Sequence, residues 1–210
     1  MKKVFLAALL GFLFTGLIFS QDKEDALLLY KNKQYDKAAE VCLKELESYP
    51  EDAVSRRMDS YSVLCWSLLQ QKKYNEVIQY GEEALKLSYY DYRIIEVLGE
   101  AYFMTGKTLK ALDFFQRYTV LNPTGDKVSI AYYFMGEIFI QLGEYNHADI
   151  ALTTALYHKG DISKWWSRLG YAREMAEEYE SALVAYEKAL ALQPGLEDAE
   201  KGLERVKARL

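Results

Sequence analysis

The stretch of sequence that decides the fold is residues 163–194, which reads SKWWSRLGYAREMAEEYESALVAYEKALALQP. Counted from Gly170 as an anchor, bulky or small apolar residues stand at set distances on both sides, namely Trp166, Leu169, Ala182, Tyr186 and Ala189. Pro194 follows 24 residues after the anchor, and proline cannot continue a helix. The pattern predicts two helices joined by a turn, with a stop at the proline.

The same pattern recurs along most of the chain. Its five anchors are spaced 39, 34, 37 and 34 residues apart, and they are Ala26, Cys65, Gly99, Gly136 and Gly170. All three prolines of the chain stand 24 residues after one of these anchors, at Pro50, Pro123 and Pro194. A repeated spacing of this length indicates an array of supersecondary units.

The third unit shows the physical basis of the repeat. Between residues 92 and 105 the apolar residues have helical spacing, at Ile94, Ile95, Leu98, Ala101 and Tyr102. Gly106 breaks this helix, and a second apolar face follows before Asn122-Pro123 ends it. A single helix pair cannot bury its apolar face alone, so neighbouring pairs are expected to stack.

The set of residues at Trp166, Leu169, Gly170, Ala182 and Tyr186 resembles the tetratricopeptide repeat. The fifth unit departs from the family pattern at Arg173, where an aromatic residue is usual. The resemblance implies an all-α fold, a right-handed superhelical array of about five helix-turn-helix units over residues 21–195. The unit bounds fall near 21–52, 58–91, 92–125, 129–162 and 163–195. Residues 196–210 resemble the polar capping helix that closes such arrays.

Composition excludes several classes of protein. Only 3 Pro and 12 Gly in 210 residues are too few for an all-β fold with its many turns. The net charge of −5 leaves no basic excess for phosphates, so we expect no nucleic-acid partner. Two Cys and two His leave little for a structural zinc site, and no catalytic motif stands out. We therefore predict a protein that is not an enzyme and that binds no metal and no cofactor.

The N-terminus has the layout of a secretory signal peptide. Lys2 and Lys3 precede an apolar run over residues 4–19, and Ser20 is followed by polar residues. The run is shorter than the roughly 20 residues that span a membrane. We predict a signal peptide at 1–20, with the first helix of the array starting just after it, and an exported, periplasmic protein. The alternative is an uncleaved anchor in the inner membrane, which would be the chain's one membrane contact.

Cys42 and Cys65 fall on predicted neighbouring helices of the first two units. In an exported protein they could form a disulfide, which would close a loop of about two dozen residues and add about 3 kcal/mol to stability. The alternative is two small buried side chains that fill contacts between helices.

The resemblance also implies a concave groove lined by the first helix of each unit. The apolar and aromatic residues at these places are Trp66, Phe103, Met104, Tyr133, Ile140 and Tyr171, and the acidic residues at its edge are Glu96, Glu100 and Glu137. Interfaces are enriched in aromatic and methionine side chains. The Lys and Asn residues with which cytosolic co-chaperones of the family hold a C-terminal carboxylate are missing. We therefore expect an amphipathic or extended peptide, basic rather than acidic, in this groove.

Two functions of different classes remain open from the sequence. The first is a non-enzymatic scaffold that holds a protein or peptide partner in the concave groove, in envelope assembly or a transport complex. The alternative is a small-ligand-binding or enzymatic protein that uses a pocket inside the superhelix. Self-association into a homo-oligomer is a further alternative for the groove.

Overall fold

A computed structural model of the chain describes residues 25–210, and the predicted signal peptide lies outside them. Within these residues the chain forms eleven α-helices and no β-strand. In chain order the helices are α1 (Ala26–Lys31), α2 (Tyr35–Ser48), α3 (Val54–Gln70), α4 (Tyr74–Leu87), α5 (Tyr92–Met104), α6 (Thr108–Leu121), α7 (Val128–Gln141), α8 (Tyr145–His158), α9 (Ser163–Met175), α10 (Tyr179–Leu192) and α11 (Glu197–Lys207). In this described part of the chain, no helix is both long enough and apolar enough to cross a membrane.

The first ten helices form five successive helix pairs, from α1 with α2 to α9 with α10. Each helix packs against the next one along the chain, and the first helices of neighbouring pairs also touch, such as α3 against α5. The last helix, α11, packs on both α9 and α10 and covers the end of the array. The predicted all-α array of helix pairs with a capping helix is confirmed.

Small anchor residues let the two helices of a pair approach closely. A Cβ atom added to Gly99 would lie 2.8 Å from Cε1 of Phe115, and one added to Gly170 would lie 2.7 Å from Cδ1 of Tyr186. These separations are too short for carbon atoms in contact, so the rings pack directly on the glycine backbone. Cys65 is the anchor of the second pair, and it is fully buried.

The turn inside every pair has a residue in the left-handed conformation, seven positions after the anchor. The φ angles there lie between 59° and 74°, at Lys33, Lys72, Gly106, Gly143 and Glu177. A residue with a Cβ atom costs roughly 1–2 kcal/mol in this conformation, whereas glycine adopts it freely. Open space surrounds the missing Cβ of Gly106, so only backbone strain opposes a side chain at this turn.

We expect Gly106→Ala to lower the free energy of unfolding by about 1 kcal/mol because it introduces that strain. Lys72→Gly serves as the matched reverse change, and it should raise stability by less, since glycine also makes the unfolded chain more flexible. Urea unfolding followed by circular dichroism measures both values. An unchanged midpoint for Gly106→Ala would show that this turn is free of strain.

Prolines stop the second helices, as the sequence predicts. Each of the three follows the last residue of a second helix by two positions, as Pro50 follows Ser48. The prolines end α2, α6 and α10, so the chain can turn there and begin the next unit or the capping helix.

The first pair is incomplete within the described residues. Helix α1 begins at Ala26 rather than just after Ser20, and it has 6 residues where α5 has 13. The Asp25 carboxylate caps it by accepting hydrogen bonds from the backbone N–H groups of Leu27 and Leu28, at 2.9 and 3.1 Å. At the next pair, α3 begins at Val54, four residues before the predicted start of the second unit. The described part of α1 is therefore much shorter than α3, which has 17 residues.

Both cysteines are free and fully buried, so the structure does not contain the disulfide considered above. Cys42 lies on α2 and Cys65 on α3, where each thiol is surrounded by apolar side chains. Burial raises the pKa of the Cys42 thiol to about 12 and that of Cys65 further still. The thiols therefore act as small apolar side chains that fill contacts between helices, which is the other interpretation given above.

Candidate functional site

The predicted groove residues lie on the first helices α3, α5, α7 and α9, and the structure divides them into two groups. Trp66 and Glu96 line a cavity toward the N-terminal end, and Glu100 interacts with Glu96. The others lie farther along the array, on or near contacts between neighbouring helices.

Ring contacts occupy the middle of the array. The ring centroids of Phe103 and Phe134 are 4.9 Å apart, and Phe134 also stacks on Phe115 at 5.2 Å. Tyr133 stacks on Trp165 with a centroid distance of 4.9 Å and nearly parallel planes. Phe103 and Tyr133 therefore join neighbouring helices as well as lining the groove, and changing them would disturb the packing itself.

The remaining predicted residues differ in how available they are to a partner. Glu137 accepts two hydrogen bonds from Arg168, at 2.6 and 2.9 Å, so its charge is already paired. The Arg168 guanidinium also lies 5.1 Å from the ring centre of Tyr171. Ile140 is half-buried against the cluster of α8 and α9, whereas Met104 is exposed at the end of α5.

Burial is the main cause that raises the pKa of Tyr133 to about 12, and the negative charge of Glu137 adds to it. The tyrosine therefore stays neutral at physiological pH. Within the described residues, no group of three or more His, Cys, Asp or Glu side chains could hold a metal ion.

The cavity toward the N-terminal end has a volume of about 310 Å³. Its walls come from α1, α3, α5, α6 and the loop before α7, and the residues are Tyr30, Trp66, Leu69, Gln70, Tyr92, Arg93, Glu96, Tyr118, Asp126 and Lys127. Tyr92 at its rim is 46% exposed, so the cavity opens to solvent. We call it the Glu96 cavity.

Glu96 is the unusual side chain of this cavity. It is only 5% exposed, and its Oε1 atom is buried without a hydrogen-bond partner among the described residues. Burial raises the pKa of this carboxyl well above its ordinary value, and the charge and hydrogen bonding of Glu100, one helical turn away, raise it further. Lys127 acts in the opposite direction. The environment therefore favours the protonated form of Glu96 when the cavity is empty.

Arg93 also lines the cavity, and its positive charge is fully paired with carboxylates. Its guanidinium donates to Asp91 at 2.7 and 3.1 Å and to Asp59 at 2.8 Å. Two carboxylates therefore neutralise it, and they hold its side chain against α3 and the start of α5.

A second, larger cavity of about 610 Å³ adjoins the first and shares Trp66 and Arg93 with it. It lies beside the start of α1, where Asp25, Ala26 and Leu27 form one edge. Within the described residues, α1 has 6 residues beside the 17 of α3. Trp66 and Arg93 belong to the walls of both cavities.

The residues of the Glu96 cavity that sequence reasoning missed include Tyr30, Tyr92, Tyr118, Asp126 and Lys127. Tyr30 could have been found, because it stands four residues after Ala26, an offset that faces the groove in the other units. Asp126 and Lys127 belong to the loop that lengthens the spacing from Gly99 to Gly136, and no offset within a unit predicts their position.

Stacked helix pairs with an open groove define a helical-repeat protein of the kind that offers an extended binding surface. Two family models described as tetratricopeptide repeat match residues 130–161 and 163–196. The fourth and fifth units are therefore tetratricopeptide repeats, and the predicted repeat family is confirmed for them.

Several solved structures show the same fold. A crystal structure of MamA is 22% identical with a TM-score of 0.69, covering 89% of this chain and 98% of that one. MamA from Desulfovibrio magneticus RS-1 is 20% identical with a TM-score of 0.65, over 72% of this chain and 84% of that one. YrrB, a tetratricopeptide-repeat protein described as having an unusual peptide-binding site, is 20% identical with a TM-score of 0.70, over 85% and 88% of the two chains. At these identities the likeness extends to the fold alone. No curated protein matches the sequence.

Proposed function

We propose that this protein is a non-enzymatic scaffold that is exported from the cytoplasm and binds a peptide segment of a partner protein in the groove around Trp66. Proteins of this repeat family are typically protein-interaction scaffolds, and the fold neighbour YrrB is described as having a peptide-binding site. The observation that carries the proposal is the pair of adjoining cavities, about 310 and 610 Å³, that meet at Trp66.

An extended peptide fits this groove better than a globular surface would. The two cavities follow one another across α1, α3 and α5, so side chains of one continuous segment could enter both. The ring centroids of Trp66 and Tyr30 are 5.9 Å apart, and Trp66 is half-buried. Trp66 is therefore a rigid aromatic anchor where the two cavities meet. We place the partner in the cell envelope, in an assembly or transport complex.

We expect Trp66→Ala to abolish binding of the partner protein. Affinity capture from the envelope fraction identifies the protein retained by the wild type, and crosslinking with mass spectrometry locates the segment in contact. A synthetic peptide of that segment should bind the variant at least tenfold more weakly, because Trp66 is the central contact.

Tyr157→Ala is the matched control for this experiment. Tyr157 lies on the second helix α8 and is 86% exposed, away from both cavities. The Tyr157→Ala variant should bind the peptide with the affinity of the wild type. Both variants should keep the helical circular dichroism spectrum of the wild type. Equal binding by Trp66→Ala would exclude the groove as the site. A dimer in sedimentation velocity that Trp66→Ala dissociates would instead identify the occupant as a second copy of the chain.

We expect export with cleavage after Ser20. Fractionation of the producing cells should recover the protein from the periplasm, and N-terminal sequencing should begin at Gln21. Replacing the apolar segment 4–19 with a cytosolic leader should keep the protein inside. A membrane-bound chain that still begins at Met1 would support the anchor instead, and a cytoplasmic chain would exclude both.

One observation favours the second function class, a small-ligand site. The Glu96 cavity is near the lower end of the volumes that hold small ligands, and it contains a buried acid with a raised pKa. A small molecule that binds there while Trp66→Ala leaves partner capture intact would favour this function over the scaffold.

A further inference from the structure

We infer that the Glu96 cavity is a subsite for a positively charged side chain of the partner peptide, the ammonium of a lysine or the guanidinium of an arginine. This inference deepens the proposed function and rests on it. It adds a specific chemistry to one position of the groove.

One oxygen of the Glu96 carboxyl is buried without a hydrogen-bond partner among the described residues. Buried polar atoms in proteins almost always have a hydrogen-bond partner, because a buried acceptor without one costs free energy. Glu96 Oε1 has none among the described residues, although the side chain lines a cavity that opens to solvent. A donor that enters the cavity would supply the missing hydrogen bond.

The charges in the cavity wall also favour a cation. Arg93 is neutralised by Asp59 and Asp91, so it contributes little net positive charge. Lys127 is then the one cation left in the wall, whereas Glu96 and Asp126 line the same cavity and the charge of Glu100 acts on Glu96. The balance is acidic when Glu96 is ionised, which favours a cationic ligand and disfavours a carboxylate.

The wall of the cavity is largely aromatic. Tyr30, Trp66, Tyr92 and Tyr118 surround the cavity together with the aliphatic side chain of Leu69. A lysine or arginine enters such a site with its apolar stem along the wall, and a cation near aromatic rings gains about 0.5–2 kcal/mol. Aromatic rings beside one carboxyl form a cage for a cationic head.

The arrangement couples binding to the release of one proton. In the empty cavity, burial and Glu100 favour the protonated form of Glu96, with Asp126 acting in the same direction and Lys127 against it. A bound cation favours the carboxylate, so Glu96 gives its proton to solvent on binding. Tyr30 on α1 and Tyr118 on α6 also face this carboxyl, and their pKa values are raised, so they stay neutral at physiological pH.

Four small probes test the site directly. They are the Nα-acetyl amides of lysine, arginine, norleucine and glutamate, titrated into the 15N-labelled protein while the indole N–H signals are recorded by NMR. Trp66 should shift and saturate with the lysine and arginine probes and stay in place with the other two. The indoles of Trp165 and Trp166 lie outside the cavity wall and serve as internal references. Equal binding of norleucine, or stronger binding of glutamate, would overturn the inference.

The pH dependence separates this site from an ordinary acidic surface. Below the pKa of Glu96 in the empty cavity, the affinity for the lysine probe should rise up to tenfold per pH unit, and it should level off above that pKa. Glu96→Gln should abolish this dependence and weaken binding about tenfold or more, because glutamine keeps the size of the side chain but cannot ionise. Glu187→Gln, at an exposed position on α10, should bind like the wild type. A pH-independent affinity in the wild type would overturn the inference without reference to any variant.

The two proposals fail in different ways. If Trp66→Ala loses the partner peptide but no cationic probe binds, the subsite is wrong and the scaffold stands. If n-butylammonium binds as tightly as the lysine probe and partner capture does not depend on Trp66, the site holds a small cation, and the peptide scaffold is wrong.

Discussion

Tyr186→Ala should lower the free energy of unfolding by about 3–5 kcal/mol, the largest stability loss that we expect from one substitution outside the groove. Tyr186 is 1% exposed and lies on α10, between Gly170 of α9 and Gly202 of the capping helix α11. Its ring packs on both glycines, so truncation would open a cavity between three helices at once. Loss of so large a buried side chain combines lost apolar burial with an unfilled void.

The hydroxyl group of Tyr186 contributes a separate, smaller share. It donates a hydrogen bond of 2.6 Å to Glu174, and Glu174 also accepts from Arg205 of α11 at 2.6 and 2.7 Å. Tyr186→Phe keeps the ring and removes this bond, so we expect a loss of about 1 kcal/mol. Comparing Tyr186→Ala with Tyr186→Phe therefore separates the contribution of ring packing to stability from that of the hydrogen bond.

Tyr157→Ala is the control, since the same substitution at a side chain that is 86% exposed should change stability by less than about 0.5 kcal/mol. Chemical unfolding followed by circular dichroism gives all three values. A loss at Tyr186→Ala no larger than that at Tyr157→Ala would show that the capping helix does not stabilise the last pair.

The sequence was sufficient to predict contacts that recur at the same offset in several units. Gly99 and Gly170 stand at equivalent offsets because an aromatic ring must pack on the backbone at both places, and this need leaves a periodic trace in the sequence. The groove position of Trp66 follows in the same way, since equivalent first-helix residues face the same side of an array.

Contacts between units left no such trace, and they account for what sequence reasoning missed. Arg168 pairs with Glu137 from 31 positions away, so an acidic residue that was expected to be available is already neutralised. Arg173 shows the same effect at the place where the family usually has an aromatic residue, because its guanidinium reaches Asp149 of α8 at 3.1 Å. Such pairs depend on which two side chains face each other across stacked helices, and one unit alone cannot specify them.

Irregular segments were the other source of error. The loop that carries Asp126 and Lys127 into the Glu96 cavity lies outside the repeat pattern, and so does the start of α1 at Ala26. Trp66 and Glu96 from the predicted groove line this cavity, but the prediction lacked the other residues around them.

Glu96→Gln should stabilise the empty protein at neutral and alkaline pH, by about 2 kcal/mol where the effect is largest. Glu96 has a raised pKa in the folded state, so its contribution to stability is fully present below the unfolded value, near 4.5, and is lost as pH rises through the folded value. Glutamine at this position does not titrate. The difference in free energy of unfolding between the variant and the wild type should therefore be smallest near pH 4 and grow with pH above it.

Urea unfolding of both proteins at several pH values measures that difference. The pH-dependent contributions of the other carboxylates cancel in it because both chains contain them. Glu187→Gln should show no such trend, since Glu187 is exposed. Adding the lysine probe at pH 8 should narrow the gap, because a cation stabilises the ionised carboxylate of the wild type but finds no charge in the variant. A gap that stays constant with pH would mean that Lys127 already compensates Glu96 in the folded state. A gap that grows with pH and closes with the probe would show that the protein sacrifices stability at Glu96 to keep an acid available for its partner.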